Sequence, residues 1–171
     1  MTPDDRARTI AYLDLQERRG PVELLDDDGI RDLLATTRRI AVIGASDDPR
    51  RPSHDVFRHL LRSGFDGVPV NPTTASVAGV RAYPTLADAV AATGAFDIVD
   101  VFRRADQCAE HAREAVAVGA RCLWLQLGIV DWESARIAAA GGLAVVMDRC
   151  LSVEWRRLGP PARPPEQTGG G

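Results

Sequence analysis

The stretch AVIGASDDPRRPSH, Ala41–His54, predicts the first strand and loop of an α/β fold. A short apolar run ends at Gly44, as a strand buried on both faces of a parallel sheet does. The segment SHDVFRHLLRSG then places Val56, Phe57 and Leu60 on one stripe of a helix. Strand, loop and helix in this order form the first unit of a sheet that is covered on both faces.

The same alternation continues along the chain. Further strands are predicted in the apolar runs GVPVNP, AGVRAY, FDIVDVF, ARCLWLQLG and LAVVMD, and helical segments separate most of them. Strands that alternate with helices favour right-handed crossovers and a parallel sheet. The expected fold is a Rossmann-like doubly wound parallel sheet of five or six strands, in three layers (α/β/α). We expect the strand order 3-2-1-4-5, which reverses between the first strand and FDIVDVF.

Three regions are expected along the chain. Residues 1–25 are polar and charge-rich, and they predict an extension that is partly helical. Residues 26–158 form the nucleotide-binding domain, in which Asp27 or Asp28 is expected to cap the first helix. Residues 159–171, GPPARPPEQTGGG, are expected to be a disordered tail, because proline and glycine bury too little apolar surface to offset the ordering entropy.

Composition argues against several classes of function. The chain has 171 residues, is 45% hydrophobic and carries a net charge of −3. Its arginines are interspersed with acids, unlike the basic stripe of a nucleic-acid-binding protein. No apolar run reaches the roughly 18–20 residues that span a membrane, and the N-terminus lacks a secretory signal. The three cysteines are isolated, which predicts neither a disulfide nor a zinc site. We therefore expect a cytoplasmic protein that binds neither nucleic acid nor membrane.

The loops GASDDPRRPS and FRRAD are expected to face each other across the crevice where the strand order reverses. Gly44 allows close approach of the backbone to an anion, and the following helix presents free N–H groups near Ser53. Four arginines flank this crevice: Arg50, Arg51, Arg103 and Arg104. They predict a polyanionic ligand. The alternative is that individual arginines pair with nearby acids, which are Asp47, Asp48 and Asp106.

The dinucleotide motif G-x-G-x-x-G is incomplete in this loop. Ser46 and Pro49 replace its second and third glycines, and Asn71 follows the second strand where an acid would bind the ribose. NAD therefore fits the loop poorly at three positions.

Six motifs together resemble the stand-alone CoA-binding proteins of bacteria, a family similar to the N-terminal CoA-binding domain of the succinyl-CoA synthetase alpha subunit. The motifs are IAVIGASDDPRRPSHDVFRHLLRSG, VPVNP, YPTL, DIVDVFRR, GARCLWLQLGIV and VVMDRC, within residues 28–158. The resemblance implies that the ligand is coenzyme A or an acyl-CoA. CoA carries a ribose phosphate besides its pyrophosphate, which agrees with the arginines at the crevice.

The resemblance also implies which residues bind CoA. Those expected at the pyrophosphate are Gly44, Ala45 and Ser46, with Arg50, Arg51, Pro52 and Ser53 beside it. Those expected at the adenosine are Val70, Asn71 and Pro72. Those expected to flank the cofactor from the facing strand are Val101, Phe102 and Arg103. Those expected toward the pantetheine arm are Gln126, Leu127 and Gly128.

The chain departs from the synthetase in having no histidine after the last strand, where the synthetase carries a phosphorylated histidine in a second domain. The histidines present are His54, His59 and His111. We therefore expect a non-catalytic CoA-binding protein: a carrier, a sensor or a partner of a CoA-using enzyme. Two alternatives stay open, an NAD(P)-binding oxidoreductase and a detached subunit of an acyl-CoA ligase that needs a second chain.

No catalytic or metal-binding residue is predicted. Ser53, His54 and Asp55 are consecutive, so they point in different directions on a helix, and we interpret them as cap and surface residues. Asp100 is expected to face polar surroundings near its strand end. Cys150, at the carboxyl side of the last strand, raises the hypothesis of a mixed disulfide with CoA. Replacing Gly44 with valine is expected to weaken CoA binding and leave the fold largely intact.

Overall fold

The computed structural model describes residues 1–159, and nearly all of the predicted tail lies outside them. Its main sheet has five parallel strands, which are β1 Arg39–Ile43, β2 Asp66–Val70, β5 Ile98–Val101, β6 Cys122–Leu125 and β7 Ala144–Val146. The order is β2-β1-β5-β6-β7. Two short strands, β3 Ser76–Val77 and β4 Val80–Arg81, pair in a separate antiparallel hairpin.

Helices cover both faces of the sheet. They are α1 Pro3–Gln16, α2 Asp27–Thr36, α3 Pro52–Arg62, α4 Leu86–Thr93, α5 Cys108–Ala117, α6 Trp132–Ala140 and α7 Leu151–Leu158, with a short 3-10 helix at Ala105–Gln107. Strand residues alternate between two apolar cores, so Ala41 and Ile43 pack with α4, α5 and α6, whereas Ile40 and Val42 pack with α2, α3 and α7. The predicted three-layer, doubly wound fold is confirmed.

The third predicted strand, AGVRAY, is not part of the main sheet. Ala78 and Gly79 both have positive φ, +48° and +80°, which is the backbone of a tight hairpin turn between β3 and β4. Val80 therefore pairs with Val77 inside the hairpin. Among residues 1–159, the segment pairs with the main sheet through one isolated parallel bridge, between Val70 of β2 and Tyr83. The expected order 3-2-1-4-5 is therefore wrong at its first position, because the AGVRAY segment forms no strand of the main sheet beyond β2. The reversal of strand order still lies between β1 and β5, as expected.

The start of α2 differs by one residue from the prediction. Asp26 is the cap, and its carboxylate accepts the Gly29 amide at 2.8 Å. Asp27 instead accepts hydrogen bonds from Arg157, at 2.7 and 2.9 Å, and from Arg149 at 3.1 Å. The bonds from Arg157 are the largest cause that lowers the pKa of Asp27 to about 2. This ion cluster joins α2 to α7.

The segment between α1 and α2 packs along the outer edge of the sheet. Leu25 donates its amide to the Val145 carbonyl at 3.0 Å, and the Trp132 indole donates to the Ala11 carbonyl at 3.1 Å. Within residues 1–159, no helix has both the length and the apolar character needed to cross a bilayer.

Candidate functional site

The candidate site lies at the carboxyl ends of β1 and β5, where the order of the strands reverses. Gly44 has φ +83°, and a Cβ on it would lie 2.3 Å from the Phe102 carbonyl oxygen. Its amide donates to the Val70 carbonyl at 2.9 Å, so this N–H is already used within the protein. The close approach explains the glycine. It also corrects one expectation: valine at position 44 would disturb the backbone of the facing loop, and so the fold itself.

Ser46 is the centre of the loop that follows. Its amide donates to the Ser53 hydroxyl at 3.1 Å, and its own hydroxyl accepts the Asp48 amide at 3.1 Å. The His54 Nδ1 atom lies 3.0 Å from the Ser46 carbonyl oxygen. Ser53 and His54 are buried, so they are not surface residues as expected. Their polar groups hold the loop against the start of α3.

Asn71 fastens the same loop from the side of β2. Its Nδ2 donates to the Ala45 carbonyl at 2.9 Å, while its Oδ1 accepts the amide and the hydroxyl of Thr73, both at 2.9 Å. Asp47 adds a tie to the hairpin by accepting the Ala78 amide at 3.1 Å. An asparagine in this position is therefore a structural residue that can donate to a carbonyl, which a ribose-binding acid could not do.

The four arginines of the crevice divide into two pairs. Arg50 binds the Asp48 carboxylate through Nε at 3.1 Å and a terminal nitrogen at 3.0 Å, and these bonds lower the pKa of Asp48. Arg104 lies 3.6 Å from the carboxylate of its neighbour Asp106. These two follow the predicted alternative of local ion pairs. Arg51 and Arg103 form no ion pair with any residue in the range 1–159.

Arg103 reaches across the crevice to the first loop. Its Nε lies 3.4 Å from the position that a Cβ of Gly44 would occupy. Arg51 is the N-cap residue of α3 and makes no side-chain capping bond. Arg51 at the positive end of this helix and Arg103 beside Gly44 therefore have no carboxylate partner in the described chain.

Three backbone amides of the loop and of the start of α3 also lack partners among residues 1–159. The amides of Ala45, Asp47 and Ser53 make no hydrogen bond to another residue in the described part of the chain. Free N–H groups at the start of a helix are suited to phosphate, because they add directed hydrogen bonds to the helix dipole. The residues present thus fit a group with a pyrophosphate.

The sixteen predicted site residues all lie at the carboxyl edge of the sheet, in the loops that follow it or in the first turn of α3. Those that are exposed or half-buried are Gly44, Ser46, Arg50, Arg51, Pro52, Asn71, Pro72, Phe102, Arg103, Leu127 and Gly128. Those that are buried are Ala45, Ser53, Val70, Val101 and Gln126. The buried residues can shape the crevice through their backbone and their packing.

Asp100 is buried, contrary to the expectation of polar surroundings. It stands in register with Val42 and Trp124, on the face of the sheet that packs against α2, α3 and α7. Its Oδ1 accepts the Gln126 side chain at 2.7 Å, and its Oδ2 has no partner among residues 1–159. Burial raises the pKa of Asp100 to about 8. The protonated acid and Gln126 form a polar pair below the loop that carries Leu127.

Cys150 occupies the N-cap position of α7 at the same edge of the sheet without a side-chain capping bond, and its Sγ lies 3.3 Å from the Ser152 hydroxyl. It is half-buried, whereas Cys108 and Cys122 are buried. Burial raises the pKa of Cys108 to about 12 and raises that of Cys122. Among the described residues, no cluster of three acids, histidines or cysteines could hold a metal ion.

Comparison with known proteins gives a consistent result. The sequence profile of the family described as "CoA binding domain" matches residues 38–156. The uncharacterized protein YneT of Bacillus subtilis is 38% identical over 124 residues, which are 72% of this chain and 90% of YneT. The structure of cell-free ID.343 from Thermus thermophilus is 38% identical, with a TM-score of 0.73 over 78% of this chain and 99% of that one.

A more distant likeness concerns the fold alone. The apo form of dinucleotide-forming acetyl-coenzyme A synthetase 1 from Ca. Korarchaeum cryptofilum is 23% identical, with a TM-score of 0.58. The match covers 70% of this chain and 28% of the synthetase chain. The resemblance inferred from the six sequence motifs is confirmed by the family match.

Proposed function

This chain belongs to the CoA binding domain family, and from that membership we propose that it binds coenzyme A or an acyl-CoA in the crevice between β1 and β5. The observation that carries the proposal is the pair Arg51 and Arg103, which form no ion pair within residues 1–159. One stands at the start of α3 and the other reaches over Gly44. A pyrophosphate would supply the negative charge that this arrangement lacks.

Each part of the ligand has a matching part of the crevice. The amides of Ala45 and Ser53, together with Arg103, would donate to the pyrophosphate. The adenosine would lie beside the loop that begins at Asn71 and Pro72, whose position the Asn71 hydrogen bonds fix. The pantetheine arm would pass Leu127, which is 69% exposed and offers an apolar surface.

We place the protein among binding proteins that do not catalyse a reaction alone. The His54 ring is engaged with the Ser46 carbonyl, and the His111 ring lies 3.1 Å from the Glu114 carboxylate. Neither is arranged as a base beside a nucleophile, and the third histidine, His59, has a buried Nε2 that meets no hydrogen-bonding group among residues 1–159. Its role would be that of a carrier, a sensor or a partner of a CoA-using enzyme in the cytoplasm.

Calorimetry with four ligands tests the proposal. We expect CoA and acetyl-CoA to bind, and NAD and NADP to bind much more weakly. Replacing Arg103 with alanine should weaken CoA binding about 10- to 100-fold, since hydrogen bonds to charged groups contribute roughly 1.5–3 kcal/mol. The matched control is Arg104→Ala, because Arg104 is already paired with Asp106 and should matter little. Equal affinity of the two variants, or preference for NAD, would refute this placement of the ligand.

A second candidate is a detached subunit of an acyl-CoA ligase, favoured by the likeness of this fold to part of an acetyl-CoA synthetase chain. It predicts that a second protein copurifies with this chain. The combined proteins would then form a thioester from CoA and a carboxylic acid when a nucleoside triphosphate is supplied. Absence of both a stable partner and this activity would leave the binding protein as the better assignment.

A further inference from the structure

A cleft of about 640 Å³ lies beside the outermost strand, β7, and none of its lining residues belongs to the loop between Gly44 and Ser53. One wall is formed by the end of α1 and the segment that precedes α2, with Leu15, Val22 and Leu24. The opposite wall contains Trp132 and Met147. The volume falls within the range of roughly 300–1,000 Å³ that is typical of sites for small molecules.

This cleft opens at the same edge of the sheet as the CoA crevice. Met147 and Arg149 directly follow β7, and Trp132 begins the helix that follows β6. Asp148, between the two lining residues, accepts the Gly128 amide at 2.7 Å. The cleft therefore begins next to the loop that we assign to the pantetheine arm. In the strand order, β7 is three spacings from β1. Each spacing between neighbouring strands is about 4.8 Å.

The lining mixes apolar with polar groups and carries no net charge, which suits an uncharged chain. Leu15, Val22, Leu24 and Trp132 are partly buried and pack against the core on the side of α6. The charged residues of the lining are two arginines and two acids, namely Arg18, Arg149, Glu23 and Asp26. Arg149 is held by the ion cluster at Asp27 and Glu154, and Asp26 caps α2, so their charges are already engaged.

We propose that this cleft binds the acyl group of an acyl-CoA, and that the group is an uncharged chain of several carbon atoms. The proposal rests on the CoA binding proposed above and names the ligand more closely. One wall of the cleft comes from residues that precede the family match at 38–156. Selection of the acyl group is thus a property of the N-terminal extension, while the phosphates are bound by the residues that the family profile covers.

The test compares CoA, acetyl-CoA, hexanoyl-CoA and succinyl-CoA by calorimetry. Each buried methylene contributes about fourfold in affinity, so hexanoyl-CoA should bind at least about tenfold more tightly than acetyl-CoA. Succinyl-CoA, with its charged end, should show no such gain. If CoA binds but all four ligands have equal affinity, the acyl site is refuted while the proposed function stands. If CoA itself does not bind, the proposed function fails, and this inference fails with it.

A variant that fills the cleft makes the test specific. Val22→Phe should remove the preference for hexanoyl-CoA and leave the affinity for CoA unchanged. The matched control is Val118→Phe, since Val118 is also a half-buried valine of the same core but follows α5, at the opposite end of the sheet. Equal loss of CoA and hexanoyl-CoA binding in Val22→Phe would overturn the inference. Should this variant fail to fold, the comparison of ligands on the unchanged protein decides.

Discussion

Replacing Asp100 with asparagine should stabilise the protein by an amount that grows with pH. Asp100 is fully buried, and Gln126 is the single polar partner of its side chain among residues 1–159. Burial raises the pKa of Asp100 to about 8. The ordinary value of 3.8 applies to the unfolded chain. Between these two values the unfolded carboxyl group is ionised and the folded one is protonated. Since the folded pKa is the higher one, stability that is fully present below pH 3.8 is lost as pH rises toward 8.

The magnitude follows from the single proton involved. One proton changes the free energy of unfolding by about 1.4 kcal/mol per pH unit, so the loss between pH 5 and pH 7 is about 3 kcal/mol. Asparagine has nearly the same shape and can accept the hydrogen bond from Gln126, but it cannot ionise. The advantage of Asp100→Asn over the unchanged protein should therefore increase by about 3 kcal/mol across this interval.

Urea denaturation at pH 5, 6 and 7 measures this difference, from which all other titrating groups cancel. Asp97→Asn is the matched control. Burial opposes ionisation of Asp97, but hydrogen bonds from the Arg39 and Arg38 amides outweigh it, and the pKa of Asp97 is lowered. Its replacement should destabilise the fold by an amount that does not change above pH 5. A difference for Asp100→Asn that stays constant from pH 5 to pH 7 would show that the buried carboxyl group is ionised, and the reasoning would be wrong.

Three further predictions concern the crevice and its edge. Gly44→Ala should lower the free energy of unfolding in urea by about 2–4 kcal/mol, because strain at positive φ adds to the clash with the Phe102 carbonyl. Gly119→Ala, with similar φ and open space around it, should cost about 1–2 kcal/mol, and equal losses would contradict the clash. Asn71→Ala should cost about 1–3 kcal/mol and weaken CoA binding, whereas unchanged affinity would show that the loop does not need this tie. Incubation with CoA disulfide should add one CoA to Cys150 by exchange, releasing one CoA thiol. Intact mass should show this addition in the native protein and none in Cys150→Ser.

The sheet could be predicted from the sequence because its strands lie in short, nearly continuous apolar runs. FDIVDVF and ARCLWLQLG are buried on both faces, and a run of this kind has few other stable places in a soluble fold. The segment AGVRAY is predicted as a strand of the main sheet because valine and tyrosine favour strands. The residues that decide its pairing are instead those of the neighbouring turn. The turn at Ala78 and Gly79 forms a hairpin within a few residues, and closing so short a loop costs less entropy than pairing along a distant strand.

The position of the crevice in the fold could be predicted from the sequence, but the hydrogen bonds within it could not. Positive charge at two strand ends predicted an anion-binding crevice, and the arginines do lie there. Which arginines remain free depends on geometry, since Arg50 can fold back on Asp48 two residues away. The role of Asn71 is hidden for the same reason, because its bond to Ala45 spans 26 residues. The burial of Asp100 had one available signal: it lies inside an apolar run, where alternation directs it into a core.

The ion cluster at Asp27 has a consequence for how the protein is made. Its hydrogen-bonding partners Arg149 and Arg157 lie 122 and 130 residues further along the chain. During synthesis, α2 leaves the ribosome long before either arginine has been added. Its charged end must therefore stay hydrated until residues 149–157 have been made, and the ionic link between α2 and α7 forms only then.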